Sequence, residues 1–355
     1  MTDFSMKDYG RKPVFSGFLP GIAGEKGIPA WCYYNNRGQS VCSFGVSDRD
    51  HAIMEFSPAH VAYQNVERTG FRTFCKRDGQ LFEAFAHGDG DMTIRPNSLS
   101  LCWQNEALRV DVRYFIAPEC PVGALCRRVT VTNLGAPAEL DLLDGLSALV
   151  PYGIDQDMLK NMTQLAKAWM QVEDVEQRRA YFRVRASLAD SAVVTEVVGG
   201  NFALGLTETG ELLRPCVDAD VIFGYDTSLA EPVGFAAPDF DETRGRTANL
   251  FPCAFFRRRA RLQTGEALVL DELFGQAQSK AVCHAFADTL GAGWFDAKQA
   301  RAEQLTDELT AAADTHTANP VFDAYCRYTY LDNCLRGGEP IRFADPDDSS
   351  RANVF

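Results

Sequence analysis

Five histidines, His51, His60, His87, His284 and His316, are the first place to look for metal or acid–base chemistry. None stands at HxH or HExxH spacing, the patterns that put two imidazoles on one face. They read as isolated loop or surface residues, and no metal site is expected. Cys283 and His284 are adjacent on a helical stretch, so their side chains diverge and make no nucleophile–base pair. Gly21, Gly24 and Gly27 recur every third residue, but no Lys-Ser/Thr follows, so neither a phosphate loop nor a dinucleotide fingerprint is matched. Carboxylates are the richer set. Asp141, Asp144, Glu173, Asp174, Asp239, Asp241 and Glu242 could each serve a glycosidase as acid or base. A run such as DFDET is also ordinary turn chemistry, and sequence sets no separation between groups, so no catalytic residue is assigned. Residues 31–37, with Tyr63, Gln64, Arg68 and Arg72, fit sugar contact better. Sugar faces stack on aromatic rings, and planar polar groups bond the hydroxyls. Aromatic residues on strands are equally ordinary core.

The elements that must position these residues are mostly strands. Residues 17–56 hold six glycines and two prolines interleaved with aromatics, which is not linker composition. They read as an irregular opening loop feeding a β-meander, with strands near 30–34 and 40–46 joined by the turn Asn35-Asn36-Arg37-Gly38. Residues 63–116 stay β in pattern, with turns at Asp78-Gly79 and Asn105-Glu106, and 125–133 alternates cleanly. One helix is expected over 155–172 from Met158, Met162, Leu165, Trp169 and Val172. Strands resume at 181–186, 192–198, 202–207 and 220–224, and 254–262 with 267–273 reads as a last hairpin about Thr264-Gly265-Glu266. Beyond Gly275 the spacing turns helical: Ser279 caps 280–290, 296–313 follows, and Asn319 with Pro320 opens a helix that ends at Gly337-Gly338. Short strands and regular turns imply an antiparallel sandwich rather than βαβ units. The division is a β-sandwich over 1–275, a helical linker over 276–318 and a further helical start over 319–355. The last residues, ADPDDSSRANVF, read as a chain cut before a third segment.

Composition bounds the partners. The 355 residues are 46% hydrophobic and 23% charged with a net charge of −13. That balance argues against nucleic acid or an anionic membrane surface, both of which select basic faces. No apolar signal region opens the chain and no run reaches membrane-spanning length. Eleven cysteines stand singly without a CxxC pair, so reduced thiols in a cytoplasm are expected. Cys75, Cys102, Cys126 and Cys253 sit in apolar strands as small core residues.

Taken together, several stretches resemble the N-terminal region of inverting glycoside phosphorylases. The family is the cellobiose phosphorylase group (glycoside hydrolase family 94) with the β-1,3-glucan phosphorylases (family 161). The matching stretches are FLPGIAGEKGIPAWCYYNNRGQSVCSFGV at 18–46, HAIMEFSPAHVAYQ at 51–64, TGFRTF at 69–74, KNMTQLAKAWMQV at 160–172 and YTYLDNCLRGG at 328–338. The resemblance implies a large antiparallel β-sandwich of the mutarotase-like type (a supersandwich), a helical linker and the first helix of an (α/α)6 barrel. It implies phosphorolysis of β-linked gluco-oligosaccharides to a sugar 1-phosphate with inversion, a glycosyltransferase-type reaction of carbohydrate metabolism. Inorganic phosphate is then the co-substrate and no cofactor is needed. The general acid is expected in the barrel, outside these residues, so this chain alone is expected to be inactive. The sandwich shapes the active-site rim and a dimer contact, with Trp31, Tyr34, Arg37, Gln64, Arg68 and Arg72 as rim candidates. The partners so implied are a β-glucan oligosaccharide, phosphate, and a second copy or a separate barrel-containing chain. Two other readings stay open: a non-catalytic carbohydrate-binding or assembly module, and an aldose epimerase, which would need converging histidines and a carboxylate base.

Overall fold

The computed structural model describes residues 3–19, 21–23, 28–86, 88–188, 192–311, 315–337, 342–344 and 352–354. Strands β1 (Phe4–Met6), β2 (Ser16–Phe18), β3 (Ile22–Ala23), β4 (Ile28–Asn35), β5 (Val41–Val46) and β6 (Ala52–Met54) precede helix α1 (Ala59–Thr69). Then come β7 (Phe71–Arg77), β8 (Gln80–Ala84), β9 (Asp91–Ile94), β10 (Ser98–Gln104), β11 (Leu108–Ile116), β12 (Gly123–Asn133) and β13 (Ala138–Leu146). Short helices α2 (Gln156–Asn161) and α3 (Thr163–Ala166) lead to β14 (Met170–Glu173), β15 (Ala180–Val184), β16 (Gly200–Thr207), β17 (Leu212–Leu213) and β18 (Pro215–Cys216). After α4 (Ala219–Phe223) and α5 (Val233–Ala236) come β19 (Ala254–Leu262) and β20 (Ala267–Ala277). Three longer helices follow: α6 (Lys280–Ala287), α7 (Trp294–Thr310) and α8 (Pro320–Gly337).

The fold is mainly β. The large sheet runs β1-β9-β10-β11-β12-β20-β16-β15-β14, a second β18-β19-β13-β7-β8, and a third β2-β4-β5-β6. Every pairing in these sheets is antiparallel. Period-two alternation explains the packing. Leu125, Val129 and Val131 of β12 and Leu268, Leu270 and Phe274 of β20 point inward, against Leu140, Leu142 and Leu146 of β13. On the outer face of the large sheet, Phe115, Cys126, Phe202 and Leu273 meet Cys283, Phe286 and Phe295 of α6 and α7. These strands are therefore apolar on both faces at one end, where the helices cover them.

Several expectations need correction. Residues 63–69, read as β, belong to a helix over 59–69: Pro58 precedes it, and Ala62 and Val66, four apart, are its buried stripe. The single helix expected over 155–172 is two short ones and a 3-10 turn at Lys167–Trp169. Met170 and Val172 alternate instead into β14, because both are buried there. Residues 192–198 form no strand, and 219–223 is a helical turn capped by Asp218. Finally, 254–262 and 267–273 are not a hairpin. β19 pairs with β13 and β18, whereas β20 pairs with β12 and β16, so the Gly265 turn crosses between sheets. The turn at Gly135, between β12 and β13, does the same.

One residue ties these two crossings. The buried Asn133 amide donates to the carbonyls of Ala136 (2.9 Å), Leu262 (3.2 Å) and Gln263 (3.3 Å). Its backbone accepts from Gly265 at 2.7 Å and donates to Glu266 at 2.9 Å.

Candidate functional site

Among the described residues, the β4–β5 hairpin builds a surface where a sequence-predicted residue, Trp31, lies in an aromatic cluster. Alternation along β4 sends Cys32 and Tyr34 into the core and Trp31 and Tyr33 to the other face, half-buried. Trp31 packs on Tyr33 and Phe56 with ring centroids 5.9 and 5.6 Å apart, and Tyr33 meets Phe56 at 5.6 Å and Phe18 at 5.3 Å. The Trp31 indole N–H donates to the Asp48 carbonyl at 3.0 Å, fixing the ring. Gly45 lies beneath that ring, where a Cβ would come within 2.3 Å of it. From α8 the Tyr328 hydroxyl donates to the Phe18 carbonyl at 2.6 Å, so the strip continues onto the helix.

The other five predicted residues do not join Trp31. Tyr34 is core at 5% exposure, and burial raises its hydroxyl above the ordinary tyrosine value. Arg37 stays in its own turn, donating to the carbonyls of Asn36 (2.6 Å) and Lys12 (3.3 Å). Gln64 and Arg68 are exposed on α1, away from its Ala62–Val66 stripe. Arg72 is buried, holds Glu83 through two bonds of 2.6 and 2.8 Å, and donates to the carbonyls of Leu229 and Ala230. Its guanidinium pins the 229–230 loop to the β7–β8 hairpin.

The acids considered above are mostly held by arginines. Arg257 bridges Asp141 (2.7 Å) and Glu242 (2.5 Å), and Arg183 holds Glu173 at 2.8 Å. His51 meets Asp48 at 2.7 Å within its own 3-10 turn, and His284 of α6 meets Asp174, just after β14, at 3.0 Å. His87 lies outside the described residues. Among the described residues no group of three His, Cys, Asp or Glu side chains is placed to hold a metal.

Of the most densely bonded polar group, the sequence reading named Asp144 but not its partners Arg127 and Glu272. Arg127, Asp144 and Glu272 are each fully buried between the large and second sheets. Register sets Arg127 directly beside Tyr114 and Glu272 in one sheet, and Asp144 beside Thr73 in the other. Arg127 donates to Asp144, Glu272 and the Gln39 side chain, and to the Tyr114 oxygen at 3.1 Å. The Gln39 amide donates to Thr73 at 2.8 Å, and the Thr73 hydroxyl donates to Asp144. Burial, and then the negative charge of Asp144, push the Glu272 carboxyl well above the usual range, with Arg127 pulling the other way. Closed to solvent, the network ties sheets together rather than meeting substrate. A signal existed: each of the three sits in an inward-facing apolar series, as in Leu125-Arg127-Val129, Leu142-Asp144-Leu146 and Leu270-Glu272-Phe274.

Glu55 was also missed. It lines a pocket of about 270 Å³ with Cys42, Ser57, Asn65 and Thr69. Burial holds its carboxyl above the ordinary range, against the pull of Lys160. A half-buried carboxyl in a pocket can donate a proton or bind a hydroxyl.

No family model and no curated protein matches the sequence. Solved structures similar to it include a protein assigned as a kojibiose phosphorylase from the human microbiome, at 6% identity and TM-score 0.31, over 78% of this chain and 29% of that one. A bacterial glucoamylase complexed with acarbose is similar at 8% identity and TM-score 0.40, over 91% of this chain and 38% of its own length. An aldose epimerase homologue from C. elegans is similar at 11% identity and TM-score 0.38, over 75% of this chain and all of its own length. The chain thus spans about a third of the phosphorylase and glucoamylase lengths. The sheet order and register, not these likenesses, carry the β-sandwich assignment. Among the described residues no helix is long and apolar enough to cross a membrane.

Proposed function

We propose that this chain is the sandwich part of a carbohydrate-active enzyme, a glycoside phosphorylase that cleaves β-linked gluco-oligosaccharides with phosphate and inverts the anomeric centre. The observation that carries the reading is the aromatic strip Phe56–Trp31–Tyr33–Phe18 running to Tyr328 of α8. Trp31, Tyr33 and Phe56 are half-buried and leave ring surface that suits the apolar face of a sugar unit, whereas Phe18 is buried. Beyond the strip, α8 turns Val321, Phe322 and Tyr325 outward at 74%, 50% and 63% exposure. An apolar helix face of that kind suits a further helical layer.

In this reading the strip is the rim of a substrate cleft and an (α/α)6 barrel packs on α8. Trp31 and Tyr33 hold the sugar, the barrel supplies the general acid that protonates the leaving oxygen, and inorganic phosphate attacks the anomeric carbon from the opposite side. The phosphate displaces the leaving group directly, so no protein nucleophile is required. An epimerase would need converging histidines, whereas His51 and His284 each meet a different carboxylate, Asp48 and Asp174.

The test is sugar 1-phosphate release from cellobiose or laminaribiose plus phosphate. The 355-residue chain is expected to show none by itself, and the chain combined with its barrel to show steady turnover, lowered by Trp31→Ala. Turnover by the chain alone, abolished by changing one of its own carboxylates such as Glu55, would overturn the placement of the acid.

A further inference from the structure

The outer face of the large sheet changes character along its strands. Phe115 of β11 and Cys126 of β12 lie beneath α6 and α7, but two to four residues away the outward positions are Arg113, Asp111, Arg128 and Thr130. There the face opens into a groove of about 510 Å³, the size of a small-molecule site, with α7 as one wall.

Most charges in the groove are already matched. Arg109 holds Asp111 through bonds of 2.7 and 2.8 Å. Arg128 holds Asp271 at 2.6 and 2.8 Å and bonds Asp296 of α7. From the same helix the Gln299 amide donates to Glu303 at 3.1 Å. Arg113 differs. Register places it directly between Ser100 and Arg128, and among the described residues its guanidinium makes no hydrogen bond or ion pair. Two guanidinium groups side by side on one sheet face repel unless something lies between them.

The lining decides what that is. Arg109, Arg113 and Arg128 are opposed by Asp91, Asp111, Asp296 and Glu303, so the groove has no excess of positive charge for a free anion. A neutral molecule that both accepts from a guanidinium and donates to carboxylates fits this set. No aromatic ring lines the groove, so recognition rests on hydrogen bonds to hydroxyls. We infer that this groove is a second carbohydrate site, taking a neutral oligosaccharide of two or three units whose hydroxyls accept from Arg113 and donate to Glu303. It is separate from the aromatic strip, which lies on β4, β2 and α8. The inference borrows from the proposed function only its choice of glucan probes.

Hydrogen exchange read by mass spectrometry on the 355-residue chain, with and without laminaritriose or cellotriose, tests it. Protection is expected in peptides of β10 to β12 and of α7, and Arg113→Ala is expected to weaken it by about tenfold in sugar concentration, the worth of one charged hydrogen bond. Arg113→Lys should restore part of the effect. Trp31→Ala should leave the groove peptides unchanged. Protection confined to the strip would overturn the inference and leave the proposed function standing; protection confined to the groove would do the reverse. Protection by inorganic phosphate in place of the sugars, or by neither, would overturn it, as would an Arg113→Ala profile identical to wild type.

Discussion

Arg127 serves two carboxylates, and burial does not let both ionise at equal cost. Burial, and then the charge of Asp144, raise the Glu272 carboxyl well above the ordinary range, against the pull of Arg127. A carboxyl raised on folding keeps its proton in the folded chain and loses it in the unfolded one at about pH 4.3. Its stabilising contribution is therefore full below that value and is lost as pH rises toward the folded value. Glu272→Gln is expected to match wild type in thermal midpoint near pH 4.5 and to exceed it at pH 8. A variant less stable than wild type at pH 8 would mean that an ionised Glu272 supports Arg127. Arg127→Met removes the only cation bonded to Asp144 among the described residues and should cost about 3–5 kcal/mol by denaturant unfolding at pH 8. The network was half legible in the sequence: alternation fixes which way Arg127, Asp144 and Glu272 point, but only the facing of two sheets shows that they meet. Type and alternation showed that Trp31 leaves the core face of β4, and the structure places its ring on Tyr33 and Phe56. Arg72 misled because nothing local announces Glu83 and the 229–230 carbonyls as its partners.

At the scale of elements, alternation and turn chemistry located most strands, and capping located the last helices. Ser279 accepts from Val282 N–H at 3.3 Å and Asn319 from Val321 N–H at 3.0 Å, as the side-chain types imply. The misread elements are those where local pattern is ambiguous. Val221-Ile222-Phe223 suits a short strand or a helical turn equally until Asp218 accepts the Asp220 N–H. The tight Thr264-Gly265 turn looks like a hairpin turn, yet partner choice belongs to the inward faces of β19 and β20, which are buried in different sheets. Asn133 holds that crossing. Asn133→Ala leaves the carbonyls of Leu262 and Gln263 without this donor, and a loss of about 1–3 kcal/mol is expected from urea unfolding. Asn133→Asp should be no better, since it cannot donate. Wild-type stability in both variants would show that the crossings are held by backbone alone.

For the whole molecule, the exposed face of α8 sets the behaviour in solution. Val321, Phe322 and Tyr325 make an apolar surface beside the strip that Tyr328 anchors. Without a covering layer, copies of this chain are expected to associate through it. Light scattering should show mass rising with concentration for wild type and a monomer for Phe322→Asp combined with Tyr325→Asp. A monomeric wild type at every concentration would remove α8 as an association face.

The place of β20 has a consequence for how the chain is made. This strand sits in the middle of the large sheet, between β12 and β16, although it is the last strand of the sandwich in sequence order. On the ribosome, β12 emerges first and waits for its neighbour through the whole span from Asn133 to Ala267, roughly 10 s at ordinary elongation rates. Once β16 has been made as well, at Thr207, the strands of the large sheet form two separate groups, each with an unpaired edge of the kind that seeds aggregation. The nascent sandwich therefore closes from its centre and at its end, so shielding of those two edges, by slow translation or by a chaperone, governs its yield.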